Sequence, residues 1–519
     1  MLLTDLPSEI LLIISKSLPS TRDVLRFASC SHRLWDLLLP QAYSCITINS
    51  GCISSLSRLA TLLIRKPLLA SRVRCLHICP LTHPCKHKCK ARYNPGSVDS
   101  ILSKLRYTEN EKEEWNDSLI GYGDAKWDQE DAWWAMLWTM LPNIEELDVS
   151  WDYGTEYRER ILKRMAPPHV QFNLGLTLLR LREVTLSVSA NDFATWISSE
   201  DALLFFRLPA LETFSGYHII EPATNVDDDT DEESPTGFSA VTNIQLHSSN
   251  SLNGFIRLSR ACAMLKSIVY HHSAITVSER LFDAPAFHKS VSHHKSTLHS
   301  ISMNGNPGFG MGMGSTFFGS LLDFTTLKNL SIPAMCILDW CQYENAPLNH
   351  VFDVLPASLE CLAIEDFHHC LDKMDLTKQL EDVLKATPER YPNLRDLNLE
   401  GHFCDKTKHR ADIDPENPSF DPDIMRLGAR LAFICFTMSP VDFGIFDTVY
   451  GWVAPEHFCP CCLAGPNVHP EDLVSSEYDE GVSDDEDEYN HGDINNADDS
   501  NYDRSASVSV SKTSPGHEV

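Results

Sequence analysis

The sequence predicts an α/β chain: three short helices, then a solenoid of short parallel strands with helices on the opposite face, then an acidic tail. Three observations carry that prediction. Helical spacing and proline breaks divide the first forty-odd residues into three parts. An apolar-x-x-apolar-x-apolar pattern then recurs from Val73 to Leu399. Finally, the net charge of −29 is gathered into two segments, seven acids between Glu221 and Glu233 and a tail from Glu471 to Val519 carrying −13. At 519 residues and 43% hydrophobic content, the chain is long enough to bury a large core.

Asp5 can cap the first helix, Pro7 has the φ of a first turn, and Glu9 sits where the positive helix end favours an anion. Ile10, Leu11, Ile14 and Leu18 follow at helical spacing, and Pro19-Ser20 ends the run. Ser20-x-x-Asp23 offers a cap for a second helix with Leu25 and Ala28 on one face. A third begins around Ser29 or Ser31 and carries Leu34, Leu37 and Leu38, with Trp35 beside them. Three short helices cannot bury so rich a stripe among themselves, so part of it is expected to face a partner. The alternative is a helical cap whose apolar residues all pack inward.

Leu6-Pro7-x-Glu9-Ile10-Leu11, Ile14, Leu18, Asp23-Val24-Leu25-Arg26, Cys30 and Leu34-Trp35 stand in the order and spacing of an F-box, which residues 1–45 resemble. One departure is Ser29, where many F-boxes have valine. The resemblance, to fungal-type F-box proteins, implies docking onto the Skp adaptor of a Skp–cullin–F-box ubiquitin ligase. The contacts it implies are Leu6, Pro7, Ile10, Leu11, Ile14, Leu18, Leu25, Leu34 and Trp35.

The repeat appears at Val73/Leu76/Ile78, Ile144/Leu147/Val149, Leu181/Val184/Leu186 and, less well, Leu211/Phe214. It continues at Val241/Ile244/Leu246, Leu265/Ile268/Tyr270, Leu298/Ile301/Met303, Leu327/Leu330/Ile332, Leu359/Leu362/Ile364 and Leu394/Leu397/Leu399. Breaks such as Leu141-Pro142-Asn143, Leu208-Pro209-Ala210, Leu355-Pro356 and Tyr391-Pro392-Asn393 punctuate it as helix, turn, short strand. Residues 46–440 thus resemble an irregular leucine-rich-repeat solenoid, with parallel strands on a concave face and helices on a convex one. Only the Leu298 unit keeps the asparagine, Asn306, that many such repeats use in their turn. An ordinary α/β domain is the alternative, since this pattern arises wherever a helix leads into a buried strand.

Two insertions interrupt the array, at about 80–127 and 221–237. The first holds His83, Cys85, His87 and Cys89, which on one face of an extended strand could meet a Zn²⁺-like ion. Lys86, Lys88, Lys90 and Arg92 on the other alternation favour a basic surface loop instead. Trp127, Trp133, Trp134 and Trp138 at near-helical spacing read as core. The second insertion reads as a solvated acidic loop, and the glycine-rich run Gly305–Gly314 lacks the Gly-Lys-Ser/Thr of a phosphate loop. Residues 441–470 read as a C-terminal cap or Cys-rich segment around Cys459, Cys461 and Cys462, and 471–519 as a disordered acidic tail in which Ser483 is a candidate for phosphorylation.

Outside the acidic segments the charge is near −9 with no basic stripe, which argues against nucleic acid and anionic lipid as partners. No run approaches the roughly twenty apolar residues of a membrane span. The 17 cysteines, scattered without paired spacing, fit a reducing compartment, so the expected location is intracellular, cytoplasmic or nuclear. No nucleophile elbow, His-Glu-x-x-His or Walker motif is present, so neither catalysis nor a cofactor is expected. The reading is a substrate-recognition adaptor of an Skp–cullin–F-box ligase, binding the Skp adaptor with its helices and a protein substrate with its solenoid. A scaffold that binds the Skp adaptor without cullin is the alternative.

Overall fold

The computed structural model describes residues 6–18, 21–49, 53–79, 95–105, 107–121, 126–151, 155–165, 178–188, 196–221, 236–251, 253–272, 283–305, 317–337, 340–341, 346–347, 349–368, 376–402 and 434–438. All lie in one unit, Met1–Leu463.

The first three helices are α1 (Ser8–Lys16), α2 (Thr21–Ala28) and α3 (His32–Ala42). Pro7 is the N-cap of α1 rather than its first-turn residue; its φ of −53° and ψ of 147° aim the chain into the helix from outside. Glu9 and Lys16 occupy the first and last turns of α1, each complementing the helix dipole. Of the two candidate starts for α3 the structure selects Ser31, whose hydroxyl accepts the Leu34 N–H at 3.1 Å. Leu11, Val24, Ala28, Leu34, Leu38 and Ala42 form a core of their own, separate from that of the solenoid. Two polar ties close this head: Ser15 Oγ donates to Gln41 Oε1 at 2.7 Å, and Arg33 Nη2 donates to the Leu6 carbonyl at 3.0 Å.

From Cys45 onward the chain builds a 14-stranded sheet whose main path joins parallel neighbours in chain order. The ten central residues of the sequence repeat fall on one register line. Leu76 pairs with Leu147, then Val184, Phe214, Ile244, Ile268, Ile301, Leu330, Leu362 and Leu397 in succession. Two strands extend the path beyond the pattern: Cys45–Asn49, with Ile46 opposite Leu76, and Ile434–Met438, with Ile434 opposite Leu397. Alternation along each strand turns the central residue and the one two later into the core. Leu76 and Ile78, Leu147 and Val149, Ile268 and Tyr270, and Ile301 and Met303 are all buried. The weak Leu211/Phe214 unit has Gly216 in its third place, because Ile219 fills that volume; a Cβ there would lie 2.5 Å from Ile219 Cγ1.

At four of the repeats a turn carbonyl is satisfied by a side chain four residues before the centre. Asn143 Nδ2 donates to Ser71 O at 2.8 Å, Thr297 Oγ1 to Leu265 O at 2.9 Å, Thr326 Oγ1 to Leu298 O at 2.9 Å and Ser358 Oγ to Leu327 O at 2.8 Å. Each ties its repeat to the preceding one. Asn306 lies outside the described residues.

Helices such as Ile53–Arg65, Lys126–Trp138, Glu156–Met165, Ser199–Phe206 and Ala284–Val291 bury apolar faces against the strands and one another. Much of the first insertion is helical, with Pro95–Lys104 and Glu109–Ile120 present. Thr108 and Glu111 form a reciprocal capping box, Gly121 ends the helix at φ +84°, and Trp115 and Leu119 are buried. Trp133, Trp134 and Trp138 are core, as their spacing predicts. Beneath them Asp131 and Arg158 form a buried ion pair; Arg158 Nη1 also donates to Ser150 O at 2.7 Å, and its guanidinium lies 4.9 Å over the Trp151 ring. Among the described residues no helix is long and apolar enough to cross a membrane.

Candidate protein-interaction surfaces

Two surfaces present side chains that the fold does not use for itself. The first is on the head. Ile10 and Ile13 on α1 are 42% and 63% exposed and Trp35 on α3 is 40% exposed. Pro7 is exposed as well, and Ile14 is half-buried. Leu6, Leu18 and Leu25 are half-buried and pack against the head's core.

The structure corrects two of the predicted contacts. Leu11 and Leu34 are fully buried between the helices and cannot touch a partner while the head is folded. The cause lies in the run Ile10–Ile14, whose five consecutive apolar residues leave no polar side to the helix. Leu11 and Ser15, four apart, take the inside, which leaves Ile10 and Ile13, three apart, outside. Ile13, absent from the expected contacts, is the more exposed of the two.

The second surface is the open, strand-lined face of the sheet, where residues alternate with the buried rows. In its middle, the Tyr217 ring stacks on His247 with centroids 4.7 Å apart, and His247 meets His271 edge-on at 4.7 Å. The two histidine Nδ1 atoms are 3.1 Å apart, so one ring donates and the other accepts. Burial holds both imidazoles below their ordinary pKa, and His271 lowers His247 further, so this row is neutral near pH 7. Tyr217 is 41% exposed and offers a flat ring to an incoming side chain.

Toward the first strands the same face changes character. Cys45, Cys75 and His77 have ligand atoms all within 4.8 Å of one another. His77 Nε2 lies 3.7 Å from Glu146 and its Nδ1 3.7 Å from Asp148. Toward the last strands the row is half-buried and carries small or polar side chains, Ser302, Ser331, Ala363 and Asn398. Along the strand starts, charges alternate and neutralise each other, as in Arg74–Glu145 at 3.1 Å and Lys328–Glu360 at 2.9 Å.

His83, Cys85, His87, Cys89 and Ser483 lie outside the described residues, as do Cys459, Cys461 and Cys462. Residues 106–403, more than half of the chain, match the family model of the leucine-rich repeat domain. No curated protein matches the chain. The match spans nine of the ten register-matched repeat centres, Leu147 to Leu397, and carries a protein-interaction role for the solenoid: the chain belongs to the leucine-rich repeat domain family.

Proposed function

We propose that the chain is the substrate-recognition adaptor of a Skp–cullin–F-box ubiquitin ligase, holding the Skp adaptor through its helical head and a protein substrate through the strand-lined face of the solenoid. The observation that carries this reading is the apolar surface left on the head: Ile10, Ile13 and Trp35 stay exposed on a bundle whose own core is complete without them. Each is already about half covered, so burying the remainder against an apolar partner groove would contribute roughly 1 kcal/mol apiece. The chain itself supplies proximity, and ubiquitin transfer takes place on other subunits. The charge of the chain, near −9 outside its two acidic segments, favours a protein partner over nucleic acid or an anionic membrane.

The test is affinity purification of the full-length protein beside an Ile10→Asp, Ile13→Asp variant, with mass spectrometry of what each retains. These two positions are exposed, so the head stays folded and only an apolar interface would pay the desolvation of the new carboxylates. Skp adaptor and cullin retained by the wild type and lost from the variant would establish the ligase reading. Adaptor without cullin would identify a non-ligase scaffold, and neither would reduce the head to a helical cap.

A further inference from the structure

We propose that Cys45, Cys75, His77 and Glu146 form a zinc site on the open face of the first three strands. The inference is independent of the ligase reading. Cys45 stands opposite Cys75 and Cys75 opposite Glu146 across parallel strands, and His77 is two residues along on the same face. The sequence separates these residues by 30 and 71 positions, and the sheet register alone brings them together.

The donor set suits the ion. Two thiols, an imidazole and a carboxylate are the ligand types zinc takes in four-coordinate sites. The sulfur and nitrogen atoms already lie within 4.8 Å of one another. Ligands around one tetrahedral zinc stand about 3.8 Å apart for two sulfurs, so closure needs about 1 Å of side-chain rotation on rigid strands. Glu146 lies outside that 4.8 Å cluster but hydrogen-bonds the Cys75 thiol and stands 3.7 Å from His77 Nε2, so a side-chain rotation brings it in as the fourth ligand. Asp148, 3.7 Å from Nδ1, takes the place of the outer carboxylate that orients a zinc-bound imidazole.

The local electrostatics favour a cation. Glu146 and Asp148 flank His77, and the nearby Arg74 is drawn away to Glu145 at 3.1 Å and the Asn143 carbonyl at 3.1 Å. Burial and then the neighbouring Glu146 push the Cys75 thiol up to about 12, and the same two causes raise Cys45. Without a metal, thiolate formation here is opposed. A divalent cation reverses that opposition and displaces the thiol protons to solvent. The strand Cys45–Asn49 stands at the end of the sheet path and follows α3 directly, so the ion would pin the first strand to the next two where the head joins the solenoid.

The experiment uses the full-length chain, reduced, stripped of metal and titrated with Zn²⁺ or with Co²⁺ as a spectroscopic stand-in. Wild type is expected to bind one zinc more than a Cys45→Ser, Cys75→Ser variant and to show thiolate-to-cobalt absorption that the variant lacks. His77→Ala is expected to weaken the site at least tenfold, whereas Cys85→Ser with Cys89→Ser should leave it intact. A measurement that needs no variant guards against misfolding: Zn²⁺ should slow alkylation of Cys45 and Cys75 but not of the exposed Cys30. Equal zinc content in wild type and the Cys45→Ser, Cys75→Ser variant would overturn the proposal. So would alkylation rates at Cys45 and Cys75 that Zn²⁺ leaves unchanged.

Discussion

The head and the solenoid of this chain both bury apolar residues, in two separate cores, but they differ in what they leave outside. The head completes its core with Leu11, Val24, Ala28, Leu34, Leu38 and Ala42 and still shows Ile10, Ile13 and Trp35 to solvent. The solenoid runs one continuous core from Ile53 to Leu397, and its open face carries polar, imidazole and thiol groups. A bundle of three short helices has too little interior for its apolar content, so its surplus is available to another surface. A solenoid adds interior with every repeat, and its surplus becomes the alternate strand row, free to carry recognition chemistry.

If the two cores are energetically separate, damage to one should leave the other standing. The largest effect is expected from Arg158→Met, which leaves the Asp131 carboxylate buried without its partner and should cost the solenoid about 3–5 kcal/mol in denaturant unfolding. Leu34→Ala should cost the head about 2–5 kcal/mol, while Ile10→Ala, removing a residue that is 42% exposed, should cost either region under about 0.5 kcal/mol. Hydrogen exchange resolved along the chain checks both. Faster exchange of α1–α3 in Arg158→Met, or of the strands in Leu34→Ala, would mean that the regions unfold as one.

Acid should separate them next. His272 is buried in the solenoid, with its Nδ1 2.8 Å from the Tyr270 hydroxyl, and burial lowers its pKa to about 4. In the unfolded chain it titrates near 6.5. Between these values the unfolded state binds more protons, so stability falls as pH drops from about 6.5 towards 4, by up to about 3 kcal/mol for this residue. Burial lowers His218, His288 and His294 as well, all in the solenoid. Thermal unfolding of the strands should therefore weaken through that window and the helices of the head should not. A His272→Gln variant with an unaltered pH profile would show that this imidazole does not carry the effect.

How much of this was legible in the sequence depends on whether the deciding signal was local. The repeat centres from Leu76 to Leu397 were readable one by one, because burial of every second residue in a strand writes itself into five or six consecutive positions. The strand Cys45–Asn49 was not: Tyr43, Ile46 and Ile48 keep the spacing, but Tyr43 packs against the head's core and only Tyr43 and Ser44 separate the strand from α3, with no proline break between them. The three helices of the head were equally clear, but Leu11 and Ile10 could not be assigned to inside and outside in a run that is apolar all round. The thiol and imidazole cluster was invisible for a different reason: Cys45, Cys75 and Glu146 meet only through register, and spacing carries no trace of it. The sequence points instead to His83–Cys89, where the ligand types are close along the chain.

The smallest expected effects test the comparison most finely. Thr297→Val keeps the shape of the side chain and removes the donor to the Leu265 carbonyl, and Ser31→Ala removes the acceptor that caps the Leu34 N–H of α3. Each should cost about 1 kcal/mol. The two losses are alike in size and chemistry, so any difference in what they destabilise reflects where the bond sits. Thr297 ties one repeat to the one before, and its loss should propagate to neighbouring strands as faster exchange on both sides of residues 265–301. Ser31 ties a helix only to itself, so its loss should stay within the head. If exchange around Thr297→Val proved as confined as that around Ser31→Ala, the hydroxyl ties would be decoration on each repeat, and cohesion between repeats would rest on the apolar register line alone.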